Sequence, residues 1–159
     1  MLNIAALTKD LSMSQKSFFL IKEFNKCINY TDISAGVFHI RGAVPPIQPL
    51  FGCKSVGFLH SYHGTLISTS MEEAEISLRT SNNSKKFLYL WDIDWIENPV
   101  FFSGAMNILR DDRLNIIARS NQHAAVIDNF CNKSVCGIVD DWNINQLLEV
   151  TGWQNEKYR

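Results

Sequence analysis

Side chains capable of acid–base chemistry flank several apolar runs of this 159-residue chain. Asp92 and Asp94 close one aromatic-rich run, two residues apart. At the end of a strand, such a pair points to one side, where it could hold a divalent cation or supply one general base. The flanking Trp91 and Trp95 leave a third alternative, an aromatic strand end that packs on the next loop.

His63 is a second candidate base, because an imidazole titrates near neutrality and the neighbouring Gly64 permits close backbone approach. The alternative is a hydrogen-bonded histidine with a structural role. Arg119 and Ser120 end another apolar run and are candidate ligand-binding residues. Ser120 has an alternative too, since a serine at a helix start caps free amides.

Three segments share one order: an apolar run, a polar residue where the run ends, and then a helical pattern. They are 64–70 before a helix over 71–79, 114–120 before a helix over 121–130, and 135–141 before a helix over 143–150. This alternation predicts an α/β fold, a single Rossmann-like domain over 1–150 with a mostly parallel sheet and helices on both faces. Residues 151–159 form a polar tail. Ligands of such sheets bind where strands end and helices begin.

The remaining elements follow from local composition. The patterns predict strands over 2–7, 33–40, 54–59 and 86–96, a helix from an N-cap at Ser17 to Asn29, and a helix over 99–110.

Composition excludes several classes of protein. A net charge of −1 gives no broad electrostatic grip on nucleic acid. No leader sequence or membrane-length apolar stretch is visible, so we expect no membrane association and a cytoplasmic location. There is no glycine-rich phosphate loop and no Gly-x-Ser-x-Gly motif. The four cysteines lack zinc spacing, so we expect buried, reduced thiols and no metal site.

The tract 115–124, the helix to Phe130 and the tract 134–139 resemble the end of the N-terminal domain of two-domain glycosyltransferases. The segments 2–14, 63–73 and 86–95 are similar to the same domain in phage-type glycosyltransferase-like proteins. The resemblance implies an acceptor-binding half, with the sugar nucleotide held mainly by a second half whose donor-binding motifs have no counterpart here. It therefore implies no cofactor bound by this chain alone, and as partner a second subunit or a second copy in a homodimer.

The resemblance also implies residue roles. The acceptor would face two loops, one with Asp10, Ser12 and Ser14 and the other with Tyr62, His63 and Gly64. His63 would be the base, and Asp92 is the second catalytic candidate. Asp94, Arg119 and Ser120 complete the predicted substrate-binding set.

A hypothesis from another class is a non-catalytic interaction protein on the same fold. An example is a phage-encoded inhibitor that binds a host enzyme, such as a protease or polymerase, in the host cytoplasm. Aromatic side chains are common at the centres of interfaces. Trp142 and Trp153, near the polar C-terminal end, are expected to be exposed and to form this interface; the alternative is that they cap the sheet.

Overall fold

The computed structural model describes residues 1–152, and of these Asp94 by its backbone only. Within them one sheet holds seven parallel strands in the order β3-β2-β1-β4-β5-β6-β7. The strands are β1 (Leu2–Thr8), β2 (Ile33–His39), β3 (Gly52–Ser55), β4 (Thr65–Ser68), β5 (Lys85–Leu90), β6 (Leu114–Ala118) and β7 (Gly137–Ile138). The predicted α/β, Rossmann-like fold class is confirmed.

Helices cover both faces of the sheet and connect most of the strands, whereas residues 40–51 link β2 to β3 without a helix. They are α1 (Gln15–Asn25), α2 (Met71–Arg79), α3 (Pro99–Leu109), α4 (Asn121–Cys131) and α5 (Ile144–Val150). None of the helices within residues 1–152 is long and apolar enough to cross a membrane.

The strand order reverses between β1 and β4. Strand β1 pairs with β2 on one side, in the register Leu2↔Ile33, and with β4 on the other, in the register Ile4↔Thr65. Because all seven strands are parallel, their carboxyl ends lie at the same edge of the sheet, called here the C-terminal edge. In open parallel sheets ligands bind at this edge, at the point of reversal.

Side chains alternate between the two faces of the sheet, so each face has its own hydrophobic core. In β5, Phe87 and Tyr89 pack on the side of α1 and α5, whereas Leu88 and Leu90 pack on the side of α2, α3 and α4. Successive side chains of a strand point to opposite faces, so a strand buried on both faces is apolar throughout.

Helix α1 begins three residues before the predicted start. Ser14, not Ser17, is the N-cap, and its hydroxyl accepts a 3.0 Å hydrogen bond from the Ser17 amide. The first turn is polar because Gln15 faces solvent and Lys16 is only half-buried. Polarity alone made this turn resemble a loop.

Two predicted strands have wrong bounds. Strand β3 covers Gly52–Ser55, and Val56–Ser61 forms a 3-10 helix instead of strand. Strand β5 ends at Leu90, where its partner β6 also ends in the pair Leu90↔Ala118. The aromatic residues beyond Leu90 have left the sheet because no neighbouring strand continues beside them.

Candidate functional site

The C-terminal edge at the ends of β5 and β6 holds a group of connected polar contacts. Arg119, directly after β6, donates to Asp141 Oδ1 from Nη2 at 2.6 Å and from Nε at 3.0 Å. The guanidinium carbon also lies 3.8 Å from the centre of the Trp91 ring. Because Arg119 is paired and stacked, we assign it the role of holding Trp91 and Asp141 in place.

His123 lies beside this group, on the first turn of α4. Ser120 is the N-cap of α4, and its Oγ accepts from the His123 amide at 3.3 Å. The same Oγ lies 2.7 Å from His123 Nδ1. When the ring carries its proton on Nδ1, Ser120 accepts that proton in a hydrogen bond and Nε2 is left with a free lone pair.

The charge state of His123 follows from its surroundings. Burial lowers the pKa of His123, the nearby positive charge of Arg119 lowers it further, and the negative charge of Asp92 raises it back in part. The neutral imidazole therefore predominates at pH 7, which is the form a general base needs. The sequence pattern places His123 among the polar candidates at the strand ends, beside Arg119 and Ser120, but assigns it no role, although its position three residues after Ser120 is a usable signal.

Three predicted substrate-binding residues lie on the loop after β1, also at the C-terminal edge. Asp10 Oδ1 accepts from the Ser12 amide at 2.9 Å, and hydrogen bonds from the Ser12 side chain and amide lower the pKa of Asp10. Ser14 caps α1. The loop thus fixes its own shape with the side chains of Asp10 and Ser14, while Ser12 stays exposed.

Tyr62, His63 and Gly64 lie at the opposite edge, because they precede β4. The prediction that they face the same acceptor as the loop after β1 is wrong. His63 is exposed, and its carbonyl accepts a 3.3 Å hydrogen bond from Asn3. Gly64 has φ +148°, and a Cβ there would lie 2.5 Å from the Asn3 carbonyl oxygen, so glycine is required by packing.

Tyr62 also has a structural role. Its hydroxyl donates to the Thr65 carbonyl at 3.0 Å, and its ring meets Phe38 edge-on at 5.2 Å. Burial raises the pKa of Tyr62. The hydroxyl is therefore a fixed donor rather than an acid–base group.

Asp92 and Asp94 do not project from one strand face as predicted, because β5 ends at Leu90. Asp92 is exposed in the turn that follows, and Asp94 begins a 3-10 helix over Asp94–Ile96. Within residues 1–152, no three His, Cys, Asp or Glu side chains are grouped as metal ligands.

The cysteine prediction holds in part. Cys27 and Cys131 are buried, whereas Cys53 and Cys136 are exposed, and all four are free thiols.

Trp142 is fully buried, so its predicted exposure at a partner interface is wrong. Its ring meets Tyr89 at 4.4 Å and Phe24 at 6.1 Å, both edge-on. The Tyr89 hydroxyl donates to the Val139 carbonyl at 2.7 Å and accepts from the Trp142 amide at 3.4 Å. Trp142 therefore anchors the segment between β7 and α5 in the core. Trp153 lies outside the described residues.

A groove between α2 and α3 was not predicted. Its volume is about 550 Å³, and Asp92 and Trp95 stand at its border with the C-terminal edge. The available signal was the composition of α3, where Val100 and Phe101 precede further apolar residues around the helix. A surface helix ordinarily has one apolar stripe, so apolar residues on several faces indicate an uncovered surface.

Comparisons with known proteins do not identify a family for this chain. No family model, curated protein or solved structure matches this chain. The resemblance to glycosyltransferases therefore stays a prediction.

Proposed function

We propose that this chain is the acceptor-binding half of a sugar-nucleotide-dependent transferase, with the acceptor hydroxyl held at the C-terminal edge beside His123. The observation that carries the proposal is the Ser120–His123 hydrogen bond of 2.7 Å. It presents an imidazole, neutral at pH 7, at the edge where parallel sheets bind their ligands.

In this proposal His123 Nε2 accepts the proton of the acceptor hydroxyl. The acceptor oxygen then forms a bond to the anomeric carbon of the donor sugar, and the bond from that carbon to the nucleoside diphosphate breaks. With the ring proton on Nδ1, Ser120 accepts that proton in a hydrogen bond and holds the ring in place, and the charge of Asp92 stabilises the imidazolium that forms. The second half, a separate subunit or another copy of this chain, binds the sugar nucleotide.

The base is His123 and not His63. His63 lies at the opposite edge of the sheet from Asp10, Ser12 and Ser14, so it cannot share an acceptor with them. His123 follows β6 and stands at the same edge as that loop.

A binding experiment tests the acceptor site without the missing half. We expect a panel of monosaccharides and methyl glycosides, added to ¹⁵N-labelled protein, to shift the amide resonances of residues 118–124. His123→Gln should weaken binding about two- to tenfold, the effect of losing a hydrogen bond between a neutral imidazole and a hydroxyl, worth about 0.5–1.5 kcal/mol. His63→Gln is the matched control and should leave it unchanged. The absence of saturable shifts with any sugar, or shifts confined to residues 62–64, would refute the proposed site.

The transfer step needs the partner. A tagged chain isolated from its native cytoplasm should bring down a second Rossmann-like subunit, unless the chain pairs with itself. The isolated pair should then turn over a sugar nucleotide, and His123→Gln should abolish turnover while His63→Gln does not. Turnover that survives His123→Gln would remove His123 as the base.

The second candidate function is the non-catalytic interaction protein, for example an inhibitor of a host protease or polymerase. With Trp142 in the core, the observation that favours this candidate is the adjacent pair Val100 and Phe101, whose surfaces are 82% and 65% exposed. The test is co-purification with wild-type protein and with Val100→Ser/Phe101→Ser. Loss of an unrelated host enzyme from the variant would favour this candidate.

A further inference from the structure

The groove between α2 and α3 has the size of a small-molecule site. Its volume of about 550 Å³ lies within the range of about 300–1,000 Å³ for ligand pockets. It is bounded by Met71 on α2 and by Phe101 and Ile108 on α3, with Trp95 at its inner side. Such a mixture of aliphatic and aromatic walls favours a ligand with an apolar body.

Folding leaves this surface uncovered. Val100 is 82% exposed and Phe101 is 65% exposed, although Ala105, Met106 and Leu109 of the same helix are buried in the core. Gly104 on α3 lines the groove as well, and a Cβ there would meet no atom within 4 Å, so this position has room for a larger side chain.

The charged residues of the groove have one sign. Glu72, Glu75 and Asp92 line it, and among the described residues no Lys, Arg or His does. Glu75 forms an ion pair with Arg79 on its own helix, whereas within residues 1–152 neither Glu72 nor Asp92 forms an ion pair. Two carboxylates beside an apolar wall attract a cation and repel an anion.

Trp95 gives a cation a further partner. Trp95 is 93% buried at the inner side of the groove, and its ring packs at 6.1 Å on Phe102. The indole N–H has no hydrogen-bond partner among the described residues. Because it is a donor only, it would pair with an acceptor atom of a ligand, and the contribution of Trp95 to cation binding comes from its ring face alone. Tryptophan is the most favourable aromatic ring for a cation near its face.

We propose that the groove between α2 and α3 binds a small organic cation, an amine with an apolar, ring-sized body. The apolar body lies against Phe101, Ile108 and Trp95, and the ammonium group lies near Glu72 and Asp92. This site borders the acceptor position beside His123 and shares with it the charge of Asp92, but the proposal does not depend on the transferase function.

Three probes of one shape separate the contributions of charge and apolar surface. They are 2-naphthylmethylammonium, 2-naphthylmethanol and 2-naphthoate, titrated into ¹⁵N-labelled protein at low salt. We expect the ammonium to bind at least about tenfold more tightly than the carboxylate, with the alcohol between them. The shifted amides should lie in residues 70–79 and 92–108.

Variants assign the effect to the groove. Gly104→Leu places a larger side chain in the groove while improving helix propensity, so it should reduce binding of the ammonium and the alcohol at least about tenfold with the fold intact. Ser103→Leu adds the same side chain to the same helix outside the groove, and should leave binding unchanged. Glu72→Gln with Asp92→Asn should reduce the preference for the ammonium over the alcohol to about twofold or less.

Three results would overturn the proposal. One is the absence of saturable binding of the ammonium, and another is equal or tighter binding of the carboxylate. The third is an equal effect of Gly104→Leu and Ser103→Leu. None of these results bears on the acceptor site, because its test uses sugars and reads the resonances of residues 118–124.

Discussion

A substitution of Trp142 tests whether this residue lies in the core or at an interface with a partner. The side chain is fully buried and contacts the rings of Tyr89 and Phe24. A buried aromatic side chain removes about 150–250 Å² from water, which at about 25 cal/mol per Å² corresponds to about 4–6 kcal/mol. Measured aromatic-to-alanine substitutions in cores cost about 3–5 kcal/mol. Trp142→Ala should therefore lower the free energy of unfolding by about 4 kcal/mol.

A milder variant tests the origin of this loss. The Trp142 indole nitrogen is buried without a hydrogen-bond partner among the described residues. Trp142→Phe keeps an aromatic ring and removes this unpaired donor, whose burial costs about 1–3 kcal/mol. The loss of packing is thus partly offset, and the expected cost is about 1 kcal/mol or less.

Urea unfolding followed by circular dichroism measures both values. Phe58→Ala is the control, because Phe58 is 60% exposed and its truncation should change the free energy by less than about 0.5 kcal/mol. A cost below about 1 kcal/mol for Trp142→Ala would refute the buried position and restore Trp142 as an interface candidate.

Three further predictions concern single groups. Tyr89→Phe should cost about 1–3 kcal/mol in urea unfolding, because the buried Val139 carbonyl loses its donor; an unchanged midpoint would contradict this bond. Thr69→Val should leave stability unchanged or raise it by about 1 kcal/mol, since the buried hydroxyl has no partner among the described residues; a clear loss would indicate a partner. The lowered pKa of His123 means that the unfolded chain binds its proton first, so stability should decline as pH falls from 6.5 through the folded pKa, and His123→Gln should remove this decline.

The segments with strong local signals were predicted well. Helix α2 covers Met71–Arg79 as expected, because an apolar run, a serine at the N-cap position and a helical pattern follow one another without interruption. Strand β5 was extended too far, since its aromatic composition continues past Leu90 while its pairing partners do not. Strand ends are set by neighbouring strands, which a single segment does not contain.

The error over Trp142 has a similar origin. Its polar neighbours Asp141 and Asn143 are typical of a surface turn, and the backbone at Trp142 has a positive φ of 64°. The ring is buried because Tyr89 and Phe24, which are 53 and 118 residues earlier in the chain, meet at this position. Contacts of this separation leave no periodic pattern in the sequence.

The error over His63 was avoidable from the sequence. In a parallel sheet, residues before a strand lie at one edge and residues after a strand lie at the other. His63 and Gly64 precede β4, whereas Asp10 follows β1. The predicted parallel sheet was therefore sufficient to separate them and to favour the histidine after β6.

Asp92 joins the two proposed sites through its charge. It lines the groove between α2 and α3, and its negative charge raises the pKa of His123. An organic cation bound beside Asp92 would offset that charge, so the pKa of His123 would fall and its neutral, proton-accepting form would be favoured. By linkage, protonation of His123 must weaken binding of the cation by the same factor. The two proposals share the charge of Asp92, and together they require a coupling of this sign between the groove and the imidazole.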